Sequence, residues 1–135
     1  MRVLLDTNIF ISAILFGGLP RELMVLGLRG EIELVTSPAL LNELTALLEG
    51  KFAFSPAAAD ETRRELELVA EVVEPREIPD VCRDPDDNHV LAAANTGGAE
   101  LFVTGDRDLL VLKAFEDIEI VEPAQALQKL AAKAS

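Results

Sequence analysis

Apolar runs too short for helices alternate along this chain with longer stretches of helical periodicity, and that alternation restricts the fold more than any other feature. Met1 to Leu5, Glu33 to Thr36, Leu101 to Val103 and Ile118 to Val121 read as short buried strands rich in Val, Ile and Leu. Between them lie helical segments with legible ends. Asn8 to Phe16 stops at Gly17-Gly18, and a second helix from Pro20 to about Leu28 stops at Gly30. Ser37-Pro38 opens a helix that ends near Gly50, and Ser55-Pro56 opens a longer one, from about Ala57 to Val72. In both, the serine hydroxyl can accept from an unpaired N–H of the first turn, and proline fits where an N–H is not needed. Glu74 to Asp80, with two prolines, is expected as a short strand or an extended connector. Asp84-Pro85-Asp86-Asp87 is a turn into a helix through Val90 to Ala94 that ends at Gly97-Gly98. Gly105-Asp106-Arg107-Asp108 opens a short helix, and Pro123 begins the last one. The pattern predicts one α/β domain over residues 1–135, with a central, mostly parallel sheet of four or five strands and helices on both faces. Such sheets place ligand sites beyond the carboxyl ends of their strands.

A chain of 135 residues, half of them hydrophobic, can bury a core without covalent staples. The single cysteine, Cys82, has no partner for an internal disulfide, which suits a reducing, cytoplasmic compartment. The N-terminus lacks a signal-peptide layout, and the apolar stretch Ile9 to Phe16 is interrupted by Ser12 and too short to span a bilayer, so no membrane role is expected. The 24 acids outnumber the 12 bases, giving a net charge of −12. That balance opposes ordinary nucleic-acid binding, which uses a basic face. A nucleic-acid substrate would need bound cations to invert the field of an acidic pocket.

The acids are placed where such a pocket would form. Asp6 follows the first strand directly, and Asp106 follows Leu101 to Val103 with Thr104 and Gly105 between. Asp84, Asp86 and Asp87 crowd the start of the Val90 helix. Helix capping is the plainer role for Asp6, Asp87 and Asp106, worth about 1 kcal/mol each, and does not exclude chemistry. Glu43 lies on the flank of the apolar face made by Leu40, Leu41, Leu44, Leu47 and Leu48. Converging carboxylates repel by about 4 kcal/mol per pair at ~4 Å and an effective dielectric of 20. They therefore call for a cation or for raised pKa values. Oxygen-only ligands favour Mg²⁺ or Mn²⁺ over Zn²⁺, and the single histidine, His89, cannot build a multi-imidazole zinc site. The chain shows neither a Gly-x-Ser-x-Gly elbow nor a P-loop.

Taken in order, Leu4-Leu5-Asp6-Thr7-Asn8, Ser37-Pro38 to Glu43-Leu44, Asp84-Pro85-Asp86-Asp87 before Val90, and Thr104-Gly105-Asp106-Arg107-Asp108 resemble the PIN-domain nucleases. Within them the chain is most similar to the VapC-like branch, the toxin components of bacterial toxin–antitoxin systems. The resemblance implies a three-layer α/β/α domain, Mg²⁺- or Mn²⁺-dependent endoribonuclease activity on RNA, a homodimer or higher homo-oligomer, and an antitoxin partner. It implies that Asp6, Glu43, Asp87 and Asp106 are the catalytic and metal-binding acids, with Asn8 and Thr104 as supporting polar residues. Asp87 is preferred to Asp84 and Asp86 because it stands three residues before Val90; Asp84 and Asp108 are left as outer or turn residues. Arg83 and Arg107 flank the acid loops as candidates for RNA contact. The apolar stretch Ile9 to Leu28 is expected to be mostly core, with any exposed remainder available to a partner. Two other readings stand beside this one. A haloacid-dehalogenase-like phosphatase also places Asp after its first strand, but here Asn8 stands where its general acid would be. A receiver-like binding module would want an acidic pair where this chain has Leu4-Leu5-Asp6.

Overall fold

In the computed structural model of the chain, residues 1–134 are described. The N-terminal apolar run forms β1 (Arg2–Leu5) and passes through Asp6 into α1 (Thr7–Leu15) and α2 (Gly18–Leu28). Next come β2 (Glu33–Thr36), α3 (Pro38–Gly50), α4 (Pro56–Val69) and β3 (Ala70–Val72). Then α5 (Pro85–Thr96), β4 (Leu101–Val103), α6 (Arg107–Leu110), β5 (Ala114–Phe115), β6 (Ile118–Val121) and α7 (Pro123–Ala134) complete the order. The sheet order is β3-β2-β1-β4-β6-β5, parallel throughout except for the antiparallel pair of β5 with β6. Register is set by Val3↔Leu34 on one side of β1 and Val3↔Leu101 on the other.

Alternating side chains build a core on each face of the sheet. Val3, Leu5, Leu34, Leu101 and Val103 point into the core shared with α1 to α4 and α7. Leu4, Val35, Phe102 and Ile120 point the other way, against α5 and α6. This period of two gives three layers.

The sheet has six strands because two short ones join those the sequence marked. The helix expected to run to Val72 ends at Val69, where Ala70 turns extended (φ −107°, ψ 148°) and pairs with Leu34 of β2. Three residues are too few for periodicity to separate helix from strand, and backbone pairing decides. The two-residue β5 likewise exists only through its ladder with β6. Glu74 to Asp80 is a connector with no regular structure.

Ser37 and Ser55 cap α3 and α4 as expected, accepting from the N–H groups of Leu40 and Ala58. Between α1 and α2, which meet at 98°, Gly17 and Gly18 adopt positive φ (83° and 66°). That turn favours glycine at both positions. Arg21 then donates to the carbonyls of Ala13 and Ile14, satisfying the end of α1. The apolar stretch expected as core buries Ile9, Phe10, Ile11 and Leu23 but leaves Phe16 74% and Leu28 55% exposed. Among the described residues no single helix is long and apolar enough to cross a membrane. At the amino edge of the sheet Arg2 ties several elements together. Its Nε donates to the Gly97 carbonyl at 2.6 Å, and its guanidinium pairs with Glu33 at 2.7 Å and with Glu71.

Candidate active site

Asp6 is the hub of the opposite, carboxyl edge. It ends β1, and its backbone N–H still donates to Val103 of β4 at 2.9 Å, so its position is fixed by the sheet. Its side chain caps α1 by accepting from Thr7 N–H at 2.9 Å. The other carboxyl oxygen accepts from the Thr104 hydroxyl at 2.7 Å. That hydroxyl in turn accepts from the Asp106 N–H at 3.0 Å. Fully buried Thr104 therefore couples the two acid-bearing loops through one oxygen. Asp106 caps α6, accepting from Asp108 N–H at 2.9 Å. For Asp6 and Asp106, the capping role and a place on the acid edge coincide.

On α5 the sequence reading of the caps needs one correction. Asp84, not Asp87, is the N-cap, accepting from Asp86 N–H at 2.9 Å. Proline at 85 takes the first helical position, which pushes the cap back to residue 84. Asp87, in the first turn, is half-buried and feels the charges of Asp106, Asp84, Asp6 and Asp108. Glu43 on α3 is exposed as a residue, but its carboxyl group is partly shielded and feels Asp6, Asp86 and Asp84.

Asp6 lies within electrostatic reach of Glu43, Asp87 and Asp106, while Glu43 also feels Asp86 and Asp84 at the start of α5. Burial raises the Asp6 carboxyl above its ordinary value, opposed by its Thr104 and Thr7 hydrogen bonds, with Asp106 adding a smaller upward push. Lost hydration, then the charges of Asp6 and Asp86, raise Glu43. Asp87 is pushed up to about 6, first by burial and then by Asp106 and Asp84. Among the described residues no three acid, imidazole or thiol groups already close around a point where an ion could sit.

The donor chemistry nevertheless fits a hard divalent cation. The groups are oxygens, they repel one another, and the buried Thr7 hydroxyl beside Asp6 makes no close hydrogen bond among the described residues. That hydroxyl lies near enough to Glu43 to pull its pKa down somewhat against the upward influences. Of the remaining candidates, Asn8 is exposed and makes no side-chain hydrogen bond; Arg83 and Arg107 are exposed and make no ion pair among the described residues. Asp108 is exposed beside Asp106.

Two residues went unnoticed in the sequence. One is Thr7; the other is Asn88, whose buried amide oxygen accepts from the N–H groups of Val81 (3.1 Å) and Cys82 (2.9 Å) while its Nδ2 donates to Cys82 O (3.3 Å). Asn88 thereby clamps the segment leading to Asp84. Its spacing from buried Leu91 and Ala92 is the signal that marks it as an inward amide. Asn88→Ala should leave two backbone donors without their acceptor and cost about 1–2 kcal/mol. Hydrogen exchange at Val81 and Cys82 should speed up well before global unfolding. Unchanged exchange there would show the clamp to be dispensable.

An α/β sheet with carboxylates gathered along its carboxyl edge defines a class of acidic-site α/β proteins. The PIN-domain family pattern matches residues 2–108, and the chain belongs to that family. PIN domains are generally nucleases. A relative of uncharacterised function from Methanocaldococcus jannaschii is 31% identical over 123 residues, spanning 84% of this chain and 76% of its own. Among solved structures, VapBC-1 from nontypeable Haemophilus influenzae is similar with a TM-score of 0.61 at 16% identity, over 92% of this chain and 99% of that one. A Pyrobaculum aerophilum protein is similar with a TM-score of 0.63 at 18% identity, over 98% and 90%. At these identities the two structures establish the fold.

Crowding of the acids has a sign that can be measured. A carboxyl that titrates higher folded than unfolded favours the fold when protonated, so its penalty is complete above about pH 6 and gone below about pH 4. Metal-free protein should therefore gain stability as pH falls from about 7 toward 4, the reverse of an ion-paired aspartate. Asp87→Asn removes the penalty and should stabilise the metal-free protein at neutral pH by about 1 kcal/mol in urea unfolding, the full shift being discounted because the carboxyl is largely solvent-screened. A less stable variant would contradict the charge assignment.

Proposed function

We propose that the chain is a divalent-metal-dependent endoribonuclease, using Mg²⁺ or Mn²⁺, that hydrolyses RNA phosphodiester bonds as the toxin of a toxin–antitoxin pair. The supporting observation is the electrostatic linkage of the acids, in which Asp106 raises the carboxyls of Asp6 and Asp87, and Asp6 raises those of Glu43 and Asp87. These four would hold the ion, with Thr7 and Thr104 beside them. When bound, the cation supplies Lewis acidity toward the phosphate and lowers the pKa of a water. The chain's own part is positional. Thr104 and Thr7 hold Asp6 in one orientation, and Thr104 fixes the loop carrying Asp106. Glu43, its carboxyl raised and partly shielded, is suited to take a proton from the attacking water. Arg83 and Arg107, which form no ion pair among the described residues, are the side chains that would meet the RNA backbone.

The antitoxin rests on the VapC-like motifs and on the likeness to VapBC-1. Exposed Phe16, Leu19 and Leu28 at the ends of α1 and α2 offer apolar surface to that partner or to a second copy of the chain. Residues 1–135 would act as one domain in the cytoplasm. The test is direct: RNA cleavage that requires Mg²⁺ or Mn²⁺ and stops in chelator. An ion at ~100 times its Kd should also stabilise the protein by about 2.7 kcal/mol. Chelator-resistant cleavage, or no metal-induced stabilisation, would overturn the proposal.

A further inference from the structure

A cavity of about 650 Å³ opens beside the acid edge, between the start of α3, the connector after β3 and the first turns of α5. Glu43 belongs to both the cavity and the edge, so the two are continuous. Pro38, Leu40, Ile78 and Val90 make its walls apolar. Its polar rim is anionic, formed by Glu74 and Asp86 with Glu43, and contains no Lys or Arg. Such a rim excludes phosphate and favours an uncharged, flat group with apolar faces and N–H donors on its edge, which describes a nucleobase. Among the described residues the Glu74 carboxylate makes no hydrogen bond or ion pair, so its two oxygens can accept a parallel pair of donors. Guanine alone among the RNA bases presents two such donors side by side, N1–H and N2–H, as arginine does to carboxylates. Uracil presents one N–H between two carbonyls that a carboxylate repels. His89 lines the same cavity, and an imidazole there is a side chain on which a base can stack.

We propose that this cavity is a guanine-recognition pocket for the RNA strand, held by Glu74 and flanking the acid edge through Glu43. The inference rests on the nuclease reading for its substrate, and its test separates the two. Saturation-transfer NMR on the metal-free protein, with guanosine and separately with uridine, reads the pocket without any cleavage. Transfer to guanosine should exceed that to uridine by about tenfold. Glu74→Gln, at an exposed position, should reduce guanosine to the uridine level, because an amide offers one acceptor and turns its own donors toward guanine. Equal signals from both nucleosides, or a guanosine preference that survives Glu74→Gln, overturn the pocket.

The second arm uses uridine-rich oligoribonucleotides carrying a single G, A or C, with Mn²⁺. Cleavage next to G should be about ten- to hundredfold faster than elsewhere, and the preference should vanish in Glu74→Gln. Guanosine binding without a cleavage preference assigns the cavity to a free nucleoside and overturns the RNA subsite. No cleavage of any strand, with guanosine binding intact, removes the nuclease reading and the RNA subsite with it, and leaves a guanosine site standing.

Discussion

Asp6→Asn should reduce metal-dependent RNA cleavage by at least the roughly 10²–10³-fold that loss of one preorganised electrostatic group costs, while leaving the fold intact. Asparagine is as good an N-cap as aspartate, so the start of α1 keeps its acceptor for Thr7 N–H. One amide oxygen cannot serve both Thr7 and Thr104, and the Thr104 hydroxyl must turn to another acceptor. Against that loss stands relief of repulsion, because Asp6 raises both Glu43 and Asp87. The metal-free variant should therefore melt at or slightly above the parent, and the stabilisation conferred by Mn²⁺ should shrink sharply. Asp108→Asn is the matched control: it removes an exposed charge beside Asp106 and should change cleavage by less than about threefold. Full activity in Asp6→Asn would remove Asp6 from the catalytic set. Lost activity together with lost fold would show that the carboxylate serves the sheet edge instead.

Gly97→Ala should cost about 1–3 kcal/mol and lower the thermal midpoint by roughly 5–10 °C. Gly97 is buried at the end of α5 with an ordinary helical φ of −79°, so conformational freedom is not what requires glycine there. Space is. A Cβ at this position would collide with Cγ1 of Val35 and lie 3.2 Å from the carbonyl oxygen of Ala93. Val35 is fully buried in β2, and its branched side chain has little rotamer freedom to yield. A shift of the Gly97 backbone would also disturb its 2.6 Å acceptance from Arg2, which joins this helix end to three strands. Adding Val35→Ala should restore part of the loss by making room, less the cost of the buried volume removed. Thermal melting of the single and double variants decides the matter; purely additive losses would rule out the collision.

The parts of the fold legible in the sequence are those that local chemistry decides. Ser37-Pro38 and Ser55-Pro56 announce their helices, and the apolar runs before Asp6 and Thr104 announce β1 and β4, because the signal and the structure lie within a few residues. The third and fifth strands were hidden for the opposite reason. Ala70–Val72 and Ala114–Phe115 are strands only because β2 and β6 pair with them, and no local pattern carries that information. The acids showed a similar division. Asp6 and Asp106 could be placed at the carboxyl ends of β1 and β4 from their distance past those strands, whereas the preference for Asp87 over Asp84 and Asp86 came from the family resemblance. Which of the crowded α5 acids caps the helix depended on where Pro85 falls, and Asp84 proved to be the one. The hydroxyl of Thr104 bridging two loops 98 residues apart is a consequence of adjacency between β1 and β4, invisible until the sheet is assembled.

Asp6 and Thr104 stand at the tips of neighbouring inner strands, whereas the outermost strands, of three and two residues, carry none of the four acids. The connector that follows the outer strand β3 contributes Glu74 and Ile78 to the cavity. Under the proposed reading, changes to that margin would alter what the cavity admits without moving Asp6 and Asp106, which the central strands β1 and β4 and the Thr104 hydroxyl hold in place.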